Sequence, residues 1–341
     1  MALKLTWEML FIYASDVKDR FPTVGIIGAG HVTRMSIAPA TALGIDLLLY
    51  TQDSNESAAQ IAPAVVGNYR DLSQLLDFAK KCDLVTFEAE VVSQSAIRGL
   101  EAAGVRVFPS SNTFQYSQDI EKLRAKFANY SNSKRRESAN IEGAFDFQIA
   151  VLVARSAHGQ ATTWAPTQQL QSGGIVTMTI SPAQGIPSAI AEQVQGLALS
   201  IAEEVSLIGV MAVEVIVKGE ELFLSNLALG PHISGNWTIE GARTCQFEQH
   251  LRAVLDLPLG DPTMTATLAV TGNVLGGEKR DMYRPYLHLM ARNPELKFHQ
   301  YRNEVRVGQS IGHVTVVGEN LQELIEITEH ACDYMSGEID E

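Results

Sequence analysis

From Thr23 to about Phe108, short apolar runs alternate with helix-length amphipathic segments. The β-branched run TVGIIG stops at a glycine and is followed by HVTRMSIAPATALG; then come IDLLLY, DLSQLLDFAKKC, DLVTFE, VSQSAIRGLEAAG and VRVFPS. Strand-length runs joined by amphipathic crossovers predict a parallel βαβ sheet, with ligands at the carboxyl ends of its strands. A helix is predicted from about Thr113 to Tyr130, and it dissolves into the polar NYSNSKRRESAN, the best linker in the chain. The region beyond is β-rich, with FQIAVLVARS, the stretch around GGIVTMTISPA, and a helix over Pro187 to Val205. GVMAVEVIVKGEELFLSN then reads as a hairpin turning at Lys218-Gly219-Glu220. The tail adds a helix near Thr244 to Leu255, strands in TATLAVTGNVLG and IGHVTVVG, and a closing helix from Asn320.

Composition narrows the function classes. The chain has 341 residues, 46% hydrophobic and 19% charged, enough to bury a core in about two domains. A net charge of −13, with no basic cluster longer than Lys134-Arg135-Arg136, argues against nucleic acid and anionic membrane surfaces, which need concentrated Lys and Arg. Cys82, Cys245 and Cys332 are far apart and form no metal-binding spacing, which points to a reduced, cytoplasmic setting. The first 22 residues read as a helical extension: Glu8 interrupts the apolar run, and no segment of the chain approaches the ~18–20 apolar residues of a membrane span.

Few motifs carry chemistry. Gly28 and Gly30 sit at a strand-to-helix turn where a phosphate or ribose could approach backbone N–H groups, but the third glycine of the dinucleotide fingerprint is missing, and a tight turn alone would explain both. Glu88 and Glu90 follow a buried-type strand; they could grip ribose hydroxyls or cap a helix. Glu214 and Asn226 lie on opposite strands of the hairpin, where magnesium would want two hard, charged oxygen ligands; a lone Glu with a hydrogen-bond partner is the plainer reading. His232, Ser234 and Asn236 could line a pocket, while His31, His250 and His313 are equally compatible with structural roles. No Gly-x-Ser-x-Gly turn or Cys/His arrangement marks a covalent nucleophile.

Taken together, GIIGAGHVTRM, CDLVTFEAEVV, VFPSSNTFQYSQD, VLVARSAHG, GVMAVEVIV, PHISGNWTIEGARTCQFEQHLRAVLDLPLGD and GQSIGHVTVVG resemble the N5-carboxyaminoimidazole ribonucleotide synthetase (PurK) family of ATP-grasp enzymes, from about Phe21 to the C-terminus. The resemblance implies an α/β fold: a Rossmann-like pre-ATP-grasp domain at 23–128, an ATP-grasp α+β domain at 141–262 and a small β-rich domain at 263–341. It also implies conversion of aminoimidazole ribonucleotide, ATP and bicarbonate to the N5-carboxy product through carboxyphosphate with magnesium, and a homodimer. Gly28, Gly30, Glu88, Glu90, Arg155, Glu214, His232, Ser234, Gly235 and His313 match the family pattern. His31 replaces a Gln, Ile120 an Arg and Arg124 a Lys. Asn226 stands for the magnesium Glu, Gly230 for an Arg, Ile233 for an Asn and Asn236 for a second His, while Gln309-Ser310 replace an Arg-Lys pair resembling a phosphate clamp.

Residues 129–140 hold only a short polar linker where the family inserts a lid with a glycine-rich loop over the phosphates, so the ATP-grasp domain is expected to be truncated and no cofactor is expected. Leu227, Leu229 and Ile233 are expected to fill the former cleft, while Trp237, Phe247 and Leu251 hold packing. The expected protein has kept the family fold, has lost carboxylation and serves as a binding or assembly scaffold that can still meet a purine-pathway nucleotide. The alternative is a ligase or nucleotide-modifying enzyme that is still active.

Overall fold

A computed structural model describes residues 20–127, 146–278 and 281–340. The extension before Arg20 and the 129–140 linker therefore lie outside the described residues. Strands β1 (Thr23–Ile27), β2 (Asp46–Thr51), β3 (Ala64–Val66) and β4 (Leu84–Phe87) form a parallel sheet in the order β3-β2-β1-β4. Helices α1 (His31–Ala42), α2 (Leu72–Ala79) and α3 (Gln94–Ala102) supply the crossovers. The strand expected in VRVFPS is reduced to one bridge, Val85 to Val107, because Pro109 has no N–H to continue a ladder. The long helix expected from Thr113 is two helices, α4 (Ser111–Gln118) and α5 (Ile120–Lys126). Asp119 between them is extended, and its carboxylate accepts the Lys122 N–H at 2.9 Å.

The second sheet has nine strands, paired antiparallel throughout. They are β5 (Phe147–Arg155), β6 (Ala161–Thr163), β7 (Thr167–Ser172), β8 (Ile175–Ser181), β9 (Gly209–Lys218), β10 (Glu221–Leu229), β11 (Leu268–Leu275), β12 (Lys297–Gln300) and β13 (Ser310–Gly318). Their order is β10-β9-β5-β7-β8-β11-β13-β12, with β6 beside β5. Because β11 pairs with β8, the sheet runs without a break from the central region into the C-terminal one. Helix α6 (Ser188–Glu204) packs on β5 and β9, and α7 (Thr238–Gly241) and α8 (Gln246–Val254) follow the hairpin. Helices α9 (Pro285–Arg292) and α10 (Leu321–Ser336) complete the C-terminal region. Trp237, Phe247 and Leu251 are fully buried, as packing residues should be.

Candidate functional site

The turn between β1 and α1 is filled by the protein itself. Gly30, at the helix N-cap, has no side chain to satisfy the first N–H groups of α1. Glu88, just past β4, does so from across the sheet. Its Oε2 accepts the Gly30 N–H at 3.0 Å, and its Oε1 accepts the Thr33 N–H at 3.0 Å and hydroxyl at 2.8 Å. A Cβ on Gly28 would lie 2.6 Å from Glu88 Oε2, and one on Gly30 2.8 Å, so both glycines make room for this carboxylate. Gly28 also adopts φ +117°, a left-handed conformation open to glycine. Burial raises the Glu88 pKa, and the hydrogen bonds from Thr33 and Gly30 oppose it. The seat offered to a phosphate or ribose thus holds a carboxylate with a capping role.

Beyond this turn the two sheets meet at a polar cluster. His31, the first residue of α1, stacks on Tyr301 with ring centroids 4.4 Å apart. Tyr301 lies 2.9 Å from His313 Nδ1, and the Asn236 amide donates to the Tyr301 hydroxyl at 3.2 Å. Tyr301 and His313 Nδ1 share one hydrogen bond, while His313 Nε2 is buried and has no hydrogen-bond partner among the described residues. Burial holds the His313 pKa well below the ordinary histidine value, and His299 and His31 lower it further. His299 stacks on His313 at 4.5 Å and hydrogen-bonds Glu240 at 2.8 Å.

His232 begins the short 3-10 turn Ile233–Gly235. Its Nδ1 accepts from the Ser234 hydroxyl at 2.9 Å, and its Nε2 lies 3.7 Å from Glu214 Oε1. Burial lowers the pKa of His232, against the pull of Glu214 and Glu90; burial also lowers that of His31, which Glu90 raises and His232 lowers. Gly235 has no room for a side chain, because a Cβ would collide with Leu152 and Gln246.

The structure brings His31, Glu90, Glu214, His232, Ser234, Asn236 and His313 together, with Asn226 beside Glu214 at the exposed edge, and leaves Arg155 out. Arg155 pairs with Gly209, five residues along β9 from Glu214, and donates to the Leu207 carbonyl at 3.0 Å. Asn226 is exposed in register opposite Glu214, whose Oε1 accepts the Gln169 amide at 3.0 Å. One carboxylate already bonded to an amide and one neutral, exposed amide do not fit a magnesium-nucleotide seat. Among the described residues no group of three His, Cys, Asp or Glu side chains could hold a metal ion.

His250 belongs to no site: its Nδ1 accepts the Val210 N–H at 3.2 Å, its Nε2 meets the Thr86 hydroxyl at 2.9 Å, and burial holds its pKa at about 4.

The expected filling of the cleft is corrected in part. Ile233 packs with Val176, Met178, Thr179, Thr271, Asn273 and His313 around a gap too narrow for a water molecule. Leu227 and Leu229 alternate onto the face of β10 opposite Asn226 and belong to the core. Ser310, in the expected clamp position, turns its hydroxyl to Asn273. Sequence reading missed Tyr301, His299, Glu240 and Gln169. Tyr301 and His299 stand two apart in KFHQY, a strand spacing that could have flagged them.

Comparison with known proteins accounts for this architecture. Residues 21–118 match the ribonucleotide synthetase preATP-grasp domain, 119–247 the ATP-grasp domain and 269–327 the phosphoribosylaminoimidazole carboxylase C-terminal domain. N5-carboxyaminoimidazole ribonucleotide synthase of Mycobacterium tuberculosis is 32% identical over 377 residues, covering 92% of this chain and 88% of the relative. The Corynebacterium ammoniagenes synthase is 29% identical, covering 92% of each. The crystal structure of the Thermus thermophilus synthetase superposes with a TM-score of 0.81 at 27% identity, over 93% of this chain and 99% of that one. An Aspergillus clavatus synthase in complex with ADP and aminoimidazole ribonucleotide gives 0.82 at 22% identity, over 94% and 100%, which shows the shared fold. The aligned 92% of this chain is about 314 residues against a 377-residue alignment, so the mycobacterial relative carries about 60 positions that this chain skips. With three domain matches in the order of the sheets described above, and about a third of its residues shared across most of its length, the chain belongs to the N5-carboxyaminoimidazole ribonucleotide synthase family.

Proposed function

We propose that this family member does not carry out ATP-dependent carboxylation of aminoimidazole ribonucleotide and acts as a binding or assembly scaffold related to purine biosynthesis. The observation that carries the reading is the Glu214–Asn226 pair, in which the one carboxylate is engaged by Gln169 and its opposite number is a neutral, exposed amide. Phosphoryl transfer depends on metal and cationic groups that neutralise developing charge, and Asn226, Gly230, Gln309 and Ser310 supply none. The roughly 60 skipped positions are the size of a small subdomain, which supports loss of the lid.

A still-active enzyme is the second reading, favoured by the gathering of His31, Glu90, His232 and His313 at one junction. The reaction itself separates the two. Incubating the chain with Mg-ATP, bicarbonate and aminoimidazole ribonucleotide should release no phosphate above a protein-free control. Release that depends on the ribonucleotide would establish the second reading.

A further inference from the structure

A groove of about 390 Å³ opens at the amino ends of the parallel strands, and its lining is largely apolar. Leu76, Ala79 and Cys82 contribute from the end of α2 and the turn after it, and Ala103 and Val105 from the turn after α3. Asp83 lines it as well. Its carboxylate accepts the Thr23 N–H at 2.8 Å and pairs with Arg20 at 3.1 Å, so the 19 residues that precede Arg20 enter the fold beside this groove.

From Leu3 to Tyr13 only Lys4, Thr6 and Glu8 are polar, and a run so apolar gains by leaving water for an apolar surface. Leu3, Trp7, Leu10 and Ala14 follow the i, i+4, i+7, i+11 spacing of one helical face. Residues 15–19 reach up to roughly 17 Å when extended, enough to turn the segment back onto a groove that adjoins Arg20. Arg106, which donates Nη2 to the Asp83 carbonyl at 2.8 Å, places in the lining a cation that suits Glu8. The covalent tether raises the effective concentration of the segment, so a modest apolar contact suffices to hold it.

We propose that residues 3–14 dock as an amphipathic helix in this groove and cover the half-buried Cys82. The groove lies at the opposite end of β1 and β4 from Gly28 and Glu88, so the docked segment braces the parallel sheet and leaves the polar junction clear. The inference stands whether or not the chain carboxylates anything.

Trp7 reports on the docking, because the other two tryptophans, Trp164 and Trp237, are 1% and 0% exposed and out of reach of iodide. Iodide quenching of the full chain at constant ionic strength should find Trp7 shielded, and Ala103→Arg, which sets a long cationic side chain in the exposed groove wall, should raise the quenching towards that of free tryptophan. Alkylation by N-ethylmaleimide, followed peptide by peptide, should quicken about tenfold or more at Cys82 in Leu10→Asp, with Cys245 and Cys332 unaltered. Leu10→Asp changes no residue of the described core, so the variant keeps the fold. Trp7 quenched as freely as tryptophan in solution, Cys82 labelled at the parent rate in Leu10→Asp, or shielding that disappears on dilution, which would assign the segment to a second copy, would each overturn it.

Discussion

His250 shows how much a single histidine can do without touching a ligand. It joins Thr86 of the parallel sheet to Val210 of the antiparallel one, and it does so only as a neutral ring whose Nδ1 accepts a backbone N–H. Its pKa falls from 6.5 to about 4 on folding. The unfolded chain therefore binds the proton more tightly, and the stability from neutral His250 is complete above pH 6.5 and lost as pH falls towards 4. A shift of that size corresponds to on the order of 3 kcal/mol. His31, His232 and His313 are lowered by burial too and act in the same direction. Urea unfolding between pH 7 and pH 4 should show stability falling with acid, and His250→Gln should flatten the slope; an unchanged slope in the variant would contradict this role. At this scale the sequence offers His250, His31 and His313 on equal terms, because burial, not residue type, separates a structural histidine from one in a cleft.

At the scale of elements, the start of α1 depends on a residue 58 positions away. The glycine turn is legible in GIIGAGHVTRM, but its occupant is not, since Glu88 reaches it only once β1 and β4 have paired. Glu88→Ala would leave the Gly30 and Thr33 N–H groups unsatisfied. Chemical denaturation should register a loss of about 1–3 kcal/mol, and hydrogen exchange should quicken at the first turn of α1. Unaltered exchange there would mean that the carboxylate does not cap. Long periodic elements were readable for a physical reason: each buries one face, as in α6, α10 and the β9–β10 hairpin. The helix break at Asp119 was missed because the apolar positions on either side continue without a gap, and only the carboxylate's capping bond interrupts them. Strand β12 escaped because four residues are too few to show a period, and it forms by pairing with β13.

For the whole molecule, the continuous sheet from β10 to β12 carries the packing on which the fold depends. Large buried side chains such as Trp237 and Phe247 cost ~3–5 kcal/mol to lose, whereas replacing an unpartnered buried charge with a neutral residue costs little or stabilises. The polar positions of the cleft can therefore drift with the framework intact. A homodimer is proposed on the family resemblance; its interface should bury ~1,200–2,000 Å². Light scattering at micromolar concentration should return twice the 37.1 kDa chain mass, and a monomer mass would refute the dimer.

The proposed loss of carboxylation requires that this chain hold no working seat for Mg-ATP. A ligand at ~100 times its Kd stabilises the folded state by ~2.7 kcal/mol, enough to move a thermal melt by a readable amount. A melt in millimolar Mg-ATP measures that directly on the full chain. The Tm should be indistinguishable from that in magnesium alone; a reproducible upward shift that Glu214→Ala abolishes would contradict the proposed loss of the seat.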